Sequence, residues 1–407
     1  MSPCLSHLPT ELLLSILECI SLFPRATPTL AALCLTSQRL RSLAEPFLYA
    51  SVSNKLNTDR PHLFPLSLIG RPALADHVRK LELHTGDGDS MNPMPEDALR
   101  RLSKAIDELN LPTSLTAKHK EFLGFLGASR TAACHELSLV LASRNLETLS
   151  LQLGYKCTIG TEPISMVNHI LFEGPNWAGR FDKVQSVFIT PPTSNWKTDL
   201  YELAYVFKMP SLRRFEISGC KERKLGMSRG WNNQGELIAD LGKWRLVENS
   251  SVESIILRHS DVGHCAINTL LNCCKAVKHL SFEVADSAVL EGWFQFFRLE
   301  DALCRHAASL EHLAIVPSET AVWHQRPHQY VNFGLLLFLS QLCKLSSAAF
   351  PLIAIPASFD DGLPGLELGS PFDEARSRTY LPPSLKGISI CNGIVHYGNT
   401  DDLFRLA

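Results

Sequence analysis

The sequence predicts a mixed α/β protein in which three short N-terminal helices precede an irregular α/β solenoid. Apolar residues at helical spacing between residues 8 and 52 predict the helices. From residue 78 to about residue 395 a short strand-like pattern recurs, and a helix-like stretch precedes most of its copies. Because each unit of such an array buries its apolar face only against its neighbours, the repetition predicts stacking.

Prolines delimit the first two predicted helices. Pro9 suits the first turn of a helix, because its fixed φ fits there and its missing N–H would have no partner. Phe23-Pro24 is expected to end this helix, and Thr27-Pro28 to start the next one. The residues predicted to share one face of the first helix are Leu12, Leu13, Ile16, Leu17 and Ile20.

A third helix is predicted from Ser37 to Glu45, with Leu40 and Leu43 facing inward and Pro46 ending it. Three helices in so short a stretch bury little apolar surface by themselves. We therefore expect them to pack against another surface.

These residues resemble the F-box as it occurs in fungal F-box proteins. The matching pattern is Leu8-Pro9-x-Glu11-Leu12-x-x-x-Ile16-Leu17, then Cys34-Leu35-x-Ser37-x-x-Leu40, then Leu43-Ala44-x-Pro46-x-Leu48-Tyr49-x-x-Val52. The family's F-box docks on the Skp adaptor of a cullin-RING ubiquitin ligase. The resemblance implies an adaptor-binding surface made of Leu8, Pro9, Leu12, Ile16, Leu17, Leu33 and Leu40. The alternative is an ordinary helical hairpin packed on its own domain.

The recurring pattern consists of an apolar residue, two others, an apolar residue, one other and an apolar residue. Its first copies are Val78/Leu81/Leu83, Leu146/Leu149/Leu151, Val184/Val187/Ile189, Leu212/Phe215/Ile217 and Val252/Ile255/Leu257. The later copies are Val277/Leu280/Phe282, Leu310/Leu313/Ile315, Leu345/Ala348/Phe350 and Leu385/Ile388/Ile390. The pattern resembles the leucine-rich repeat, L-x-x-L-x-L-x-x-N/C, in the irregular form of fungal F-box proteins. Only Cys220 stands where that repeat has Asn or Cys, so its asparagine ladder is absent.

The intervals between strands hold the predicted helices. Helices are expected at residues 200–207, 267–274 and 289–303, and two more around residues 99–109 and 132–142. The resulting division is an F-box at 1–52, a linker at 53–77, a leucine-rich-repeat-like domain at 78–395 and a C-terminal tail at 396–407. The alternative architecture for the repeat region is a non-solenoid α/β domain with a parallel sheet. It would have no nucleotide site, because the sequence lacks the glycine-rich strand-to-helix turn.

Charge and hydropathy exclude several partners. Lys and Arg number 39 and Asp and Glu number 41, which gives a net charge of -2 and no excess to drive binding to nucleic acid or anionic membranes. The first seven residues lack the positive region of a secretory signal, and the apolar run Phe333 to Leu339 is too short to span a bilayer. We expect a cytoplasmic and/or nuclear protein.

The motif search predicts no metal site, no cofactor and no catalytic residues, and hence a protein that is not an enzyme. The cysteines form no Cys-x-x-Cys pair, so we expect them to be reduced and mostly buried. Cys134-His135-Glu136 has Leu139 where a zinc protease requires its second histidine. Pro327 lies between His324 and His328 and opposes the helix that would aim both at one metal ion.

The target-binding residues are predicted from strand alternation. The third, fifth and seventh positions of the pattern point away from the core, and most of these residues are small or polar. The large apolar side chains Phe188 and Ile256 are exceptions, expected beside Arg214, Glu216 and Arg258. Exposed apolar groups next to arginine are typical of a protein-binding hot spot.

Together these features predict a substrate receptor that brings a target near a ubiquitin ligase without catalysing any step itself. Its partners would be a Skp-type adaptor, through it a cullin, and an unidentified target protein. One alternative is a repeat scaffold that binds the adaptor outside any ligase. The other is a solenoid whose N-terminal helices are merely a cap.

Overall fold

The computed structural model describes residues 8–23, 26–55, 59–84, 94–124, 128–152, 179–191, 197–221, 244, 247, 249–284, 299–317, 339, 341–351 and 382–391. The chain divides into two compact units, the first comprising residues 1–192 and 209–211 and the second comprising residues 193–208 and 212–407. Both units combine helices with parallel strands, so the predicted mixed α/β class is confirmed. None of the helices in these ranges has both the length and the apolarity that a membrane span requires.

The first unit begins with three helices and continues through alternating helical and extended segments. Its elements are α1 (Thr10–Ser21), α2 (Ala26–Thr36), α3 (Gln38–Ala50), β1 (Ser51–Ser53), α4 (Leu63–Gly70), β2 (Lys80–Leu83), α5 (Glu96–Glu108), α6 (Thr113–Gly124), α7 (Ala128–Ala142), β3 (Thr148–Gln152) and β4 (Ser186–Thr190). A 3-10 helix, Pro72–His77, separates α4 from β2.

The N-terminal helices pack around a small core of Leu17, Leu30 and Ala44. The hydroxyl oxygen of Ser37 caps α3 by accepting a 3.1 Å hydrogen bond from the N–H of Leu40. The prediction that α3 ends at Pro46 is wrong, because the helix continues to Ala50.

Pro46 is tolerated inside α3 because the residues after it gain apolar contacts. Proline removes one helical hydrogen bond and crowds the preceding turn. Phe47 and Leu48 both pack against the core of the N-terminal helices, and this packing holds the last turn in helical form. Apolar packing therefore overrides the local stop signal at this position.

Residues 53–77 were predicted as a linker, and the described residues from 59 to 77 are largely helical and contribute to the first unit. Pro65 and Pro72 suggested a connector, but each lies in the first turn of a short helix, where proline is well accommodated. Arg71 lies between these two helices and donates two 2.5 Å hydrogen bonds to the carboxylate of Glu45 in α3. The leucines buried by this segment are Leu68 and Leu74.

The strands of the first unit pair in parallel in the order β1, β2, β3, β4. Leu81 lies opposite Leu149, which lies opposite Val187, so equivalent positions of the repeated pattern are in register. Strand β1 was not predicted; it places Val52 opposite Leu81.

The long interval between β2 and β3 contains α5, α6 and α7. The sequence predicted α5 and α7 but not α6. These helices share a core that includes Leu102, Ile106, Phe122, Leu123 and Leu137. The segment from residue 85 to residue 93 lies outside the described residues.

The second unit repeats the strand-and-helix alternation. Its elements are β5 (Thr198–Asp199), β6 (Arg214–Ser218), β7 (Cys220–Lys221), β8 (Ser254–Ser260), α8 (His264–Cys273), β9 (His279–Val284), α9 (Glu300–Cys304), β10 (His312–Pro317), β11 (Ser347–Pro351) and β12 (Gly387–Cys391). Leu200–Lys208, predicted as a helix, is a 3-10 helix, and α8 confirms the predicted helix at residues 267–274. The predicted helix at 289–303 lies largely outside the described residues.

The main strands of the second unit pair in parallel in the order β6, β8, β9, β10, β11, β12, while β5 and β7 form a separate pair. Each predicted copy of the apolar pattern thus coincides with a strand. The residues that stand opposite one another at the fourth position of the pattern are Phe215, Ile255, Leu280, Leu313, Ala348 and Ile388.

A repeated pair of backbone hydrogen bonds fixes this register. The carbonyl oxygen of Arg213 accepts from the N–H groups of Glu253 and Ser254, both at 2.9 Å. The carbonyl oxygen of Glu253 accepts from Lys278 at 2.7 Å and from His279 at 2.9 Å. The carbonyl oxygens of Lys278, Glu311 and Ser346 each accept the same pair of hydrogen bonds, and so do those of Arg79 and Glu147 in the first unit. Each strand therefore starts at the same level as its neighbour.

Candidate functional site

The N-terminal helices carry a set of exposed apolar side chains, called here the N-terminal apolar surface: Leu12, Leu14, Ile16, Leu22, Phe23 and Leu35. Over the described ranges, Leu63 is the one other large apolar residue with comparable exposure. Leu12 and Ile16 are 53% and 37% exposed and lie four residues apart, so both are presented by one side of α1. Concentrated apolar exposure of this kind marks surfaces that bind other proteins.

The residues predicted to bind an adaptor divide between this surface and the interior of the helices. Leu17 and Leu40 are only 2% and 5% exposed, so they lie in the interior of the helices and not at their surface. Of the remaining predicted residues, Leu12, Ile16 and Pro9 are exposed, whereas Leu8 and Leu33 are half-buried.

The geometry of α1 explains this division. Successive residues of a helix are rotated by about 100°. Leu13 and Leu17 face the other helices, so Leu12 and Ile16 necessarily point elsewhere. The sequence grouped all four on one face because α1 is apolar on more than one side, and only packing decides which side is covered.

Arg39 ties the start of α3 to the start of α1. Its guanidinium donates to the carbonyl oxygen of Leu8 at 2.8 Å and to the hydroxyl oxygen of Thr10 at 3.3 Å. These contacts fix the first turn of α1, which carries Leu12, relative to α3. The N-terminal apolar surface is therefore held by a defined arrangement of the three helices.

The outward face of the strands in the second unit carries most of the predicted target-binding residues. Glu216 accepts hydrogen bonds from Arg214 at 2.8 Å and from Arg258 at 3.0 Å. Ile256 is half-buried and stands directly opposite Glu216 on the neighbouring strand. The structure thus brings four of the predicted residues together as one arginine–glutamate–arginine cluster beside an aliphatic side chain.

Phe188 lies in the first unit, on β4. It is half-buried, whereas its neighbours Val187 and Ile189 are 0% and 1% exposed. This alternation matches the predicted strand orientation, in which Phe188 points away from the apolar core.

A pair of histidines that the motif search missed also lies on the outward face of the second unit. His279 on β9 and His312 on β10 are opposite one another, and their rings stack with centroids 4.4 Å apart and planes inclined by 13°. One ligand atom from each histidine and one from Glu311 all lie within 4.8 Å of one another. Burial lowers the pKa of His279 below its usual range, and the neighbouring His312 lowers it further.

The motif search could not find this group, because a whole repeat separates the two histidines in the chain. Only the strand register places them side by side. The histidines that were considered for a metal site, His324 and His328, lie outside the described residues.

The Cys134-His135-Glu136 motif is part of α7 and lies in the interior. His135 is 8% exposed and Glu136 is 2% exposed. Burial, together with a smaller effect of the charge of His84, lowers the pKa of His135 to about 3. His135 Nε2 lies 3.0 Å from the side-chain nitrogen of Asn54, so its role in the described structure is to complete a buried polar network.

The chain matches no protein-family model, and no curated protein is significantly similar to it.

Proposed function

We propose that this protein is the substrate-receptor subunit of a Skp-cullin-F-box ubiquitin ligase. Its N-terminal helices bind the adaptor as an F-box does, and its leucine-rich-repeat-like solenoid recruits the target protein. The receptor itself makes and breaks no bond. It raises the effective concentration of a target lysine near the conjugating enzyme.

The N-terminal apolar surface is the observation that carries this proposal. Large apolar side chains exposed to water have a free-energy cost, and burying one against a partner contributes about 1.5–3 kcal/mol. Leu12 and Ile16 belong to this surface and also to the F-box-like sequence pattern. The coincidence of pattern and exposure supports a protein partner at these helices.

The sequential order of the main strands within each unit supports the solenoid. A strand that pairs with the next strand of the repeated pattern is what stacked repeats require. A doubly wound α/β sheet instead reverses its strand order at a switch point. The outward face of such an array offers side chains from successive repeats, and the arginine–glutamate–arginine cluster with Ile256 is the candidate target contact.

One observation favours the alternative in which the N-terminal helices are a cap. Helix α3 ends at Ala50, and β1 starts at Ser51 and pairs directly with β2. The helices are therefore continuous with the strands of the first unit. A cap, however, needs no exposed apolar surface on its outer side. The exposure of Leu12, Leu22 and Leu35 therefore has no explanation if the helices are only a cap.

Co-purification of the full chain with a Skp-type adaptor and a cullin tests the proposal. A receptor brings down both proteins, a scaffold brings down the adaptor alone, and a cap brings down neither. The variant Leu12→Asp with Ile16→Asp should lose the adaptor and keep its thermal stability, because both side chains are exposed. Leu63→Asp is the matched control, since Leu63 is 45% exposed but lies outside the N-terminal apolar surface. Adaptor binding at wild-type yield by the double variant would contradict the F-box assignment.

A further inference from the structure

We propose that His279, Glu311 and His312 form a binding site for a divalent transition-metal ion such as Zn²⁺, Co²⁺ or Ni²⁺. The three residues offer two imidazole nitrogens and one carboxylate oxygen at a single place on the second unit. Imidazole and carboxylate ligands are those that zinc and its neighbours in the first transition row prefer. Three protein ligands leave at least one coordination position for water or for a group of another molecule.

The backbone holds the ligands in place. His279 and His312 are partners in the register of β9 and β10, and the N–H of His312 also bonds to the carbonyl oxygen of Lys278 at 3.0 Å. The two histidine backbones therefore stay at adjacent positions without help from a metal ion. Only side-chain torsions remain to be adjusted.

Ser347 orients one of the two imidazoles. Its hydroxyl oxygen is hydrogen-bonded to Nδ1 of His312, which leaves Nε2 of that ring for a metal ion. Metal-binding histidines commonly donate their second ring N–H to a neighbouring oxygen, because this fixes both the tautomer and the ring. Ser347 on β11 is thus the supporting contact that such a site requires.

The present distances fit a site that closes when the two imidazole rings tilt out of their stacked arrangement, so that both ring planes point at one metal ion. Metal–nitrogen bonds of about 2.0–2.1 Å in a tetrahedral site place the ligand atoms roughly 3.3 Å apart. The ligand atoms here lie within 4.8 Å of one another. His279 is exposed and Glu311 is half-buried, so tilting the ring and rotating the carboxylate meets little resistance.

The surrounding charge also permits a cation. Glu311 contributes a negative charge, whereas Lys278 is a nearby positive one. The ammonium group of Lys278 is paired with Glu253 at 2.8 Å, and this ion pair offsets its repulsion of a metal ion.

Cobalt titration of the purified full chain tests the site. The chain is freed of metal with a chelator and titrated with Co²⁺ while visible absorption is recorded. We expect wild type to bind one more equivalent than the variant His279→Gln with His312→Gln. The visible spectrum of cobalt-loaded wild type should lack the thiolate charge-transfer band that binding to the cysteines would produce. Ser347→Ala should weaken binding about tenfold or more.

The control is His259→Gln. His259 lies 3.3 Å from Glu283 and is 58% exposed, and among the described residues this surface pair belongs to no group of three metal-ligand side chains. This variant should bind cobalt like wild type. Equal stoichiometry and affinity for wild type and the double variant would show that the two rings merely stack. Neither adaptor nor target is used, so the outcome does not depend on the proposed ligase function.

Discussion

His119 in α6 and Glu136 in α7 form a buried hydrogen-bonded pair, with side chains only 1% and 3% exposed. The second ring nitrogen of His119 lies 2.8 Å from the carbonyl oxygen of Leu115. Both ring nitrogens therefore face acceptors, which suits the doubly protonated imidazolium. Burial by itself lowers the pKa of His119, but the hydrogen bond and charge of Glu136 and the carbonyl of Leu115 outweigh burial, and the net pKa is raised.

This pair should make the free energy of unfolding decrease as pH rises into the alkaline range. Because the folded-state pKa of His119 is raised, its contribution is fully present below the unfolded value of about 6.5 and is lost as pH rises through the folded value. Breaking such a pair by His119→Gln should cost about 3–5 kcal/mol just below pH 6.5, where the histidine is protonated and Glu136 is ionised. Denaturant unfolding of wild type and variant across the pH range measures this difference.

The contribution of His119 is given by the difference in free energy of unfolding between wild type and His119→Gln. The wild-type curve alone does not give it. His135 acts in the opposite sense, because its lowered folded pKa makes stability fall as pH decreases below about 6.5. A His119→Gln cost that stays constant from acid to alkaline pH would contradict the imidazolium assignment.

The two sides of α1 should respond differently to truncation. Leu17 is 2% exposed and packs in the core of the N-terminal helices, so Leu17→Ala should lower the free energy of unfolding by about 2–5 kcal/mol. Leu12→Ala removes an exposed side chain and should change stability by roughly 0.5 kcal/mol or less. Denaturant midpoints of the two variants test this. Equal losses would mean that Leu12 is buried in solution and that the N-terminal apolar surface is covered.

The strands could be predicted from the sequence because their signal is local. In Leu146/Leu149/Leu151 the last two apolar residues alternate with polar neighbours, and this period requires no knowledge of distant residues. The orientation of Phe188 followed from the same alternation. Each copy of the pattern also fixes the place of its apolar residues in the register with the next copy.

Features that depend on packing were not predictable in this way. Helix α6 is mostly polar before Phe122, and its helical form depends on contacts of Phe122 and Leu123 with α5 and α7. The inward side of α1 is chosen by α2 and α3. The contact of His279 with His312 arises from strand pairing between two repeats, which the spacing within either repeat does not encode.

Asn54 should be a stability determinant of the first unit. It follows β1, and its side chain accepts the N–H of His84 at 2.6 Å and donates to the carbonyl oxygen of His84 at 3.0 Å. It also contacts His135 at 3.0 Å. Asn54→Ala leaves these half-buried groups without partners and should cost about 1–3 kcal/mol, as measured by thermal or denaturant unfolding.

The conservative variant Asn54→Asp sharpens this test. The carboxylate still accepts the N–H of His84 but donates nothing to the carbonyl oxygen of that residue. We therefore expect Asn54→Asp to be destabilised as well. Wild-type stability of both variants would show that water replaces the side chain of Asn54 without cost.

The arginine–glutamate–arginine cluster should be needed for target recruitment and not for folding. The side chains of Arg214 and Arg258 are 47% and 34% exposed, and ion pairs at such positions contribute at most about 1 kcal/mol. The variant Arg214→Ala with Arg258→Ala should therefore keep its stability and its adaptor while losing the target, as read out by proximity labelling in cells. Arg213→Ala with Lys278→Ala is the matched control, because it removes two cations that flank Glu253 in the same way. If both double variants label the same proteins as wild type, the target docks elsewhere on the chain.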